Sequence, residues 1–336
     1  MTSAAGTWSQ GSSEVVGSES SPLTVESLRA AARELEGVSV RTPLLKVPSI
    51  SASHGHPVAV KCEHLQPAGA FKIRGAYTAL SRLPPDRRAR GVITYSSGNH
   101  GQAVALAARL LGVRALVVMP ERAPMIKVEG VRSQGAEVLI AGNSSAERYA
   151  KARAISEEQG LVMVPPYESL DVIAGQATCG LEILEEWPQV ETIVVPVGGG
   201  GLIAGIASAV AALKPSVRVV GVEPVGAAKL ARALEAGRPV KLDHTQSIAD
   251  GLLPLSVGEL PFAILAGVVS QSVQVSEEEI VDGVRFLHRE MQLSVEPSGA
   301  VTTAALLADR VKPTGPTVAI ISGGNVDPEL FARLVH

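Results

Sequence analysis

The chain has 336 residues, 46% hydrophobic, 19% charged and only 3% aromatic, with a formal charge of −3. That is enough apolar material for one large or two modest packed domains. The charge balance, the absence of a long basic run and the scarcity of aromatics exclude nucleic acid as the main partner.

Residues 1–22 are rich in Ser and Gly and contain no Lys or Arg, so they read as a mobile tail and not as a secretory signal. "TVESLRAAARELEG" predicts a helix with a Thr cap, Glu26 in its first turn and a closing glycine. "PVAVKCEHL" reads as a strand and "RGAYTALSRLP" as a helix stopped by Pro84. "GVITYSS" is a strand, "HGQAVALAARLLG" a helix and "RALVVMP" a strand. "APMIKVEGVRSQG", "AEVLIAG" and "SAERYAKARAISEEQG" repeat the alternation as helix, strand and helix. After "LVMVPPY" come the helix "DVIAGQATCGLEILEEW", the strand "ETIVVPV", the helix "GLIAGIASAVAALKP" and the strand "VRVVGVEP". A helix is expected near 226–236, then a less regular segment to about 275. "SEEEIVDGVRFLHREM", "PSGAVTTAALLADRV" and "PTVAIIS" complete the pattern.

Continuous apolar strands separated by helices predict an α/β protein with parallel sheets covered on both faces. Residues 90–167 read as a small domain, with 23–89 and 168–336 building a larger one. No apolar run is long enough to span a bilayer, so no membrane contact is expected. Cys62 and Cys179 give no disulfide framework and read as buried thiols, which makes the cytoplasm the expected setting.

Ligands of open α/β sheets bind beyond the carboxyl ends of the strands, and three glycine-rich turns occupy such ends. "SSGNHGQ" (96–102) opens a helix whose free N–H groups suit a carboxylate, with Ser96, Ser97 and Asn99 to orient it. Its plain alternative is an ordinary Ser/Asn cap. "PVGGGGLIAG" (196–205) strips four residues of side chains at a helix start, which makes a phosphate cradle. Gly199, Gly201 and Ala204 also satisfy the dinucleotide fingerprint, with Glu223 at the end of the next strand, so a nicotinamide-dependent oxidoreductase is a rival reading. "IISGGNVD" (320–327) ends a strand on Ser322, an uncharged partner for a ring nitrogen or simply a capped turn.

Lys72, in "GAFKIRGAY", sits in a glycine-bracketed segment, whereas Lys127 and Lys151 lie in amphipathic helices and read as solvated charges. A phosphate cradle, an anion-binding helix start, a strand-end serine and one specially placed lysine point to pyridoxal phosphate.

"EHLQPAGAFKIRGA", "SSGNHGQAVA", "DVIAGQATCGLEIL", "PVGGGGLIAGI" and "SGGNVD" resemble, in order, the motifs of the serine/threonine dehydratase and serine racemase family. That family consists of two-domain, fold type II pyridoxal phosphate enzymes, similar to the tryptophan synthase β subunit. The resemblance implies that Lys72 forms the Schiff base and later removes the α-proton, and that Phe71 packs beside the cofactor. It implies that Asn99 contacts the cofactor's ring hydroxyl, that Gly198, Gly199, Gly200 and Gly201 hold its phosphate, and that Ser322 faces its pyridine nitrogen. Ser96, Ser97, Asn99 and His100 would surround the substrate carboxylate. The implied reaction converts a β-hydroxy L-amino acid, such as L-threonine or L-serine, to a 2-oxo acid and ammonia. In the racemase branch the serine matching Ser97 reprotonates the opposite face, so racemisation is the alternative within the family. A homodimer is implied as well.

Two family hydroxyls are missing, because Ala68 and Ala70 stand where Thr and Ser are frequent. A bulkier substrate, 3-hydroxyaspartate or phenylserine, therefore stays open. Glu223 and the Ala227 carbonyl match a divalent-cation site of the racemase branch, but Lys229 replaces the third, usually acidic ligand, and no metal is expected. Glu296, in "VEPSGA", receives no role beyond an acid before a Pro-started helix. With the sequence ending within ten residues of "SGGNVD", an appended regulatory domain and its feedback inhibition are not expected.

Overall fold

The computed structural model describes residues 23–96, 98–123, 125–269 and 271–336. The expected tail 1–22 and Ser97 therefore lie outside the described residues. Ten strands follow in chain order: β1 Leu44–Lys46, β2 Val58–Lys61, β3 Val92–Tyr95, β4 Ala115–Met119, β5 Glu137–Ile140, β6 Val162–Met163, β7 Thr192–Pro196, β8 Arg218–Pro224, β9 Gln271–Val275 and β10 Thr317–Ile320. They form two sheets, a six-stranded one in the order β1-β2-β10-β7-β8-β9 and a four-stranded one in the order β5-β4-β3-β6. Every neighbouring pair is parallel except β1 with β2.

The parallel geometry follows from strands apolar on both faces. In β7, Ile193 and Val195 join a core with Ile173 and Ile206 of the helices Leu170–Glu186 and Gly201–Leu213. Val194 points the other way, into a core with Val284 and Ala304 of the helices Glu277–Met291 and Pro297–Leu307. The two-residue period of a strand thus feeds both helical layers. The small sheet repeats the arrangement, with Val92 and Val117 in one cluster and Ile93 and Val118 in the other.

The predicted helices and strands are present, with shifted ends. The first helix runs Val25–Glu34 under the Thr24 cap, whose hydroxyl accepts from Ser27 N. The segment expected to be irregular contains a short helix, Glu259–Leu265, and β9, whose "QSVQV" is half-exposed and polar at alternate positions. Three-residue β1 and the helix Pro328–Val335 were likewise not anticipated from the pattern. Both cysteines are buried and free, as expected. Among the described residues, no helix is long and apolar enough to cross a membrane.

Candidate active site

The carboxyl ends of β3, β7 and β10 carry the three glycine-rich turns, and cross-contacts draw them together. The segment before Lys72 is stitched to the turn after β10. Ala70 and Gly323 form an antiparallel bridge, Phe71 N donates to Ser322 O at 3.1 Å, and Gly324 N donates to Gly69 O at 2.9 Å. Pairing of β2 with β10 sets this register.

Lys72 is the first residue of the helix Lys72–Ser81. Its Nζ donates to Pro166 O at 3.1 Å and lies 5.0 Å from the centroid of the Phe71 ring. The side chain is half-buried, and desolvation of the amine lowers its pKa to about 8. No carboxylate neutralises it among the described residues, in contrast to the buried cations Lys61, Arg74, Lys127 and Lys229. Two residues on, fully buried Arg74 ties the helix start in place. Its guanidinium donates to Glu63 at 2.7 and 2.8 Å and to Glu182 at 2.7 and 2.9 Å. Burial alone would raise the Glu63 carboxyl, but Arg74 beside it prevails and holds it below its ordinary value.

The tetraglycine turn packs on the neighbouring segment. A side chain at Gly199 would overlap the Tyr167 ring, and one at Gly201 would meet Tyr167 Cβ at 3.0 Å. Gly200 caps the helix Gly201–Leu213 at φ +95°, a left-handed conformation open to glycine. Pro166 and Tyr167 therefore touch both the lysine amine and the glycine cradle. Sequence reading missed them, since "PPY" carries no charge or motif. Gly198 adjoins Gly251, whose N–H donates to Ser298 Oγ at 2.9 Å, and Ser322 Oγ donates to Ser298 O at 3.3 Å.

In the "SSGNHG" turn, Ser96 Oγ accepts from Gly98 N at 3.1 Å. His100 is buried, its Nε2 3.1 Å from Val164 O, and its Nδ1 has no partner among the described residues. Burial, reinforced by the charge of Lys72, pulls its pKa to about 3, so the ring is neutral. Asn99 Nδ2 donates to Glu296 Oε1 at 2.6 Å, and Asn99 Oδ1 accepts from Asn325 Nδ2 at 2.9 Å. Lys72, Phe71, Asn99, His100, Gly198–Gly201 and Ser322 thus belong to one connected site, with Ser96 at its rim.

Lys127 corrects an expectation. It is not a solvated charge: its side chain is 10% exposed and ion-paired with Asp250, beside Gly98 and one residue before Gly251 respectively. Lys151 is exposed, as expected. The dinucleotide reading fails on Glu223. Its carboxylate is fully buried and accepts from Lys229 Nζ, Leu230 N, Ala231 N and Ser272 Oγ, which leaves nothing for a ribose. Lys229 Nζ is ringed by the carbonyls of Val197 at 2.9 Å, Ala227 at 2.9 Å and Leu252 at 3.1 Å, with Glu223 Oε1 at 3.2 Å.

Comparison with known proteins gives the same picture. A profile of the family described as "Pyridoxal-phosphate dependent enzyme" matches residues 35–323. The chain is 41% identical over 315 residues to an L-threonine ammonia-lyase of Thermotoga maritima, covering 94% of this chain and 78% of that protein. It is 40% identical to an L-threo-3-hydroxyaspartate ammonia-lyase of a Pseudomonas species, covering 91% and 96% respectively. The structure of maize serine racemase superposes with a TM-score of 0.89 at 39% identity, covering 92% of this chain and 96% of that one.

Proposed function

The chain belongs to the pyridoxal-phosphate dependent enzymes, and we propose that within them it is an ammonia-lyase that converts a β-hydroxy L-amino acid, L-threonine or L-serine, to the 2-oxo acid and ammonia. The observation that carries this reading is the position of the Lys72 amine. It is half-buried and partly desolvated, lacks a carboxylate partner among the described residues, and is joined through Pro166–Tyr167 to the tetraglycine turn.

The residues fit the cofactor. The helix Gly201–Leu213 starts without a side-chain cap among the described residues, so its first N–H groups and dipole suit a phosphate. The Ser322 hydroxyl, almost fully buried, is a neutral partner for a pyridine nitrogen. The unpaired His100 Nδ1 is a buried acceptor on the Lys72 side of the site. Lys72, Phe71, Asn99, Gly198–Gly201 and Ser322 would hold the group. When bound, it supplies an aldehyde for the lysine and a ring that withdraws the electron pair left at the substrate α-carbon.

The chain's own part is proton handling and orientation. With its pKa near 8, Lys72 is partly neutral at physiological pH, and only the neutral amine attacks an aldehyde or accepts the α-proton. The start of the helix Asn99–Leu111, with Ser96, Asn99 and neutral His100, orients the substrate carboxylate. Loss of the α-proton to Lys72 and departure of the β-hydroxyl as water leave an enamine, which hydrolyses to the 2-oxo acid and ammonia. Being uncharged, the Ser322 hydroxyl would offer a bound pyridine nitrogen a neutral partner, which would favour expulsion of the substrate hydroxyl.

The racemase alternative rests on Ser97, which lies outside the described residues, and is settled by assay. We further propose a division into residues 90–167 and the remainder, supported by the separate four-stranded sheet. A cytoplasmic setting is supported by the two buried free thiols, and a homodimer by the family resemblance alone.

The test is a visible spectrum of the purified protein before and after borohydride, peptide mapping, and product analysis with L-threonine, L-serine and 3-hydroxyaspartate. The expected result is a yellow protein bleached by borohydride, with the pyridoxyl mass on Lys72 and a 2-oxo acid and ammonia from threonine or serine. A colourless protein after addition of pyridoxal phosphate overturns the reading. D-serine without pyruvate replaces the lyase by a racemase.

A further inference from the structure

Glu296 occupies the N-cap position of the helix Pro297–Leu307 with extended backbone (φ −76°, ψ 156°). From there an acidic side chain ordinarily accepts from the first N–H groups of its own helix. Among the described residues it makes no such bond. Its Oε1 instead reaches across the site to Asn99 Nδ2, 197 positions away in sequence, at 2.6 Å. The two ends of the Asn99 amide are thereby both engaged, since Oδ1 accepts from Asn325 Nδ2 at 2.9 Å. Asn325 is itself fixed by donating to Ala68 O at 2.7 Å, four residues before Lys72. Rotating the Asn99 amide by half a turn would set its oxygen against a carboxylate and its NH₂ against another NH₂. Only one orientation is compatible with these neighbours.

We propose that Glu296 is a positioning residue for the reaction, fixing the Asn99 side-chain amide so that its second Nδ2 hydrogen stays available to the cofactor and substrate. This rests on the proposed function for the role of Asn99. The tie also joins the two sheets, because Asn99 opens the helix after β3 while Glu296 opens a helix packed on the six-stranded sheet.

Glu296 is 3% exposed. Burial and then the facing Asp250 carboxylate raise its pKa to about 7, while Lys127 and the Asn99 hydrogen bond act in the lowering direction. Those two charges, from the turn at 250–252 and the helix Met125–Arg132, are paired with each other. The hold on Asn99 is therefore charge-assisted above neutrality and weaker below it.

The experiment compares wild type, Glu296→Gln and Glu296→Ala in the dissociation constant of the apoprotein for pyridoxal phosphate between pH 6 and 8.5. KM and kcat for the turned-over amino acid are measured alongside. Glutamine keeps an acceptor for Asn99 Nδ2 and loses only the charge. The ratio of the E296Q constant to that of wild type should stay near one at pH 6 and rise several-fold by pH 8.5. E296A should weaken binding about tenfold or more at pH 8.5, the scale of a lost hydrogen bond to a charged group, and by less at pH 6. A flat E296Q ratio, or E296A binding as tightly as wild type, overturns the proposal, and the E296Q series decides alone if E296A does not fold. Failure of the wild type to bind pyridoxal phosphate would instead sink the proposed function itself.

Discussion

Lys229 and Glu223 form an ion pair in which neither side chain reaches solvent, 3.2 Å apart, and three main-chain carbonyls complete the oxygen shell around the ammonium. The lysine comes from the helix Lys229–Ala236 and joins the ends of β7 and β8 to the turn at 250–252. A tethered positive charge among such oxygens does the structural work of a bound cation.

Activity should therefore not depend on an added divalent ion. After chelator treatment and desalting, turnover should be unchanged by Mg²⁺. A large activation would show that Lys229 does not fill this role. Lys229→Met leaves the Glu223 carboxylate buried and uncompensated, a loss of about 3–5 kcal/mol, read as a lower denaturation midpoint. Burial pulls the Lys229 pKa down while Glu223 opposes it.

Cofactor capture should report the state of Lys72. Its pKa of about 8 lies below the ordinary 10.5, so the neutral amine accumulates as pH rises through 8 and not through 10.5. The second-order rate of pyridoxal phosphate capture by apoprotein should rise about tenfold per pH unit below that point and level off above it. Stopped-flow absorbance measures it. A rate still climbing steeply at pH 9.5 would mean that the amine is not desolvated. Lys72→Ala should form no borohydride-trappable adduct.

Arg74 is the residue whose loss the fold should feel most near the site. It answers two carboxylates, Glu63 and Glu182, and Glu182 also pairs with buried Lys61 at 2.7 Å. Arg74→Met should destabilise by about 3–5 kcal/mol, because fully buried Glu63 loses its neutralising partner. Arg74→Lys should recover little, since an ammonium cannot serve two carboxylates in forked geometry. Urea denaturation of the three proteins tests this.

The pair Lys127 and Asp250 bridges a helix beside the four-stranded sheet to the turn against Gly198. Asp250 is half exposed, so stability should change little in Lys127→Met, and more in Asp250→Asn, which leaves the buried Lys127 ammonium unpaired. Each single change should raise KM for the amino acid, and the double variant should recover part of the loss. Strict additivity in the double-mutant cycle would show that the pair has no joint role.

Most of the fold was legible because its strands are apolar on both faces, so a run such as "TIVVP" declares a buried parallel strand without help from its neighbours. β9 was not, because "QSVQV" lies at a sheet edge with one residue exposed and three only half-buried. Lys72 and the tetraglycine turn were legible because an unusual backbone leaves its mark locally. The Glu296 contact was not. An acid before Pro297 is a sound helix start, and nothing within ten residues of it announces Asn99. Lys127 was misread for the same reason: amphipathic spacing describes its own helix, and its partner Asp250 stands 123 positions away.

The stitch between Ala70–Phe71 and Ser322–Gly323 has a bearing on biosynthesis. One of the two strands beside β2 is β10, so a ribosome that has translated Lys72 must add about another two hundred and fifty residues before the turn stitched to Ala70 and Phe71 exists. Contacts of such long sequence separation form late and slowly. Cofactor capture is therefore expected only once β10 and the turn after it have been made, and a nascent polypeptide halted before residue 317 should capture pyridoxal phosphate poorly.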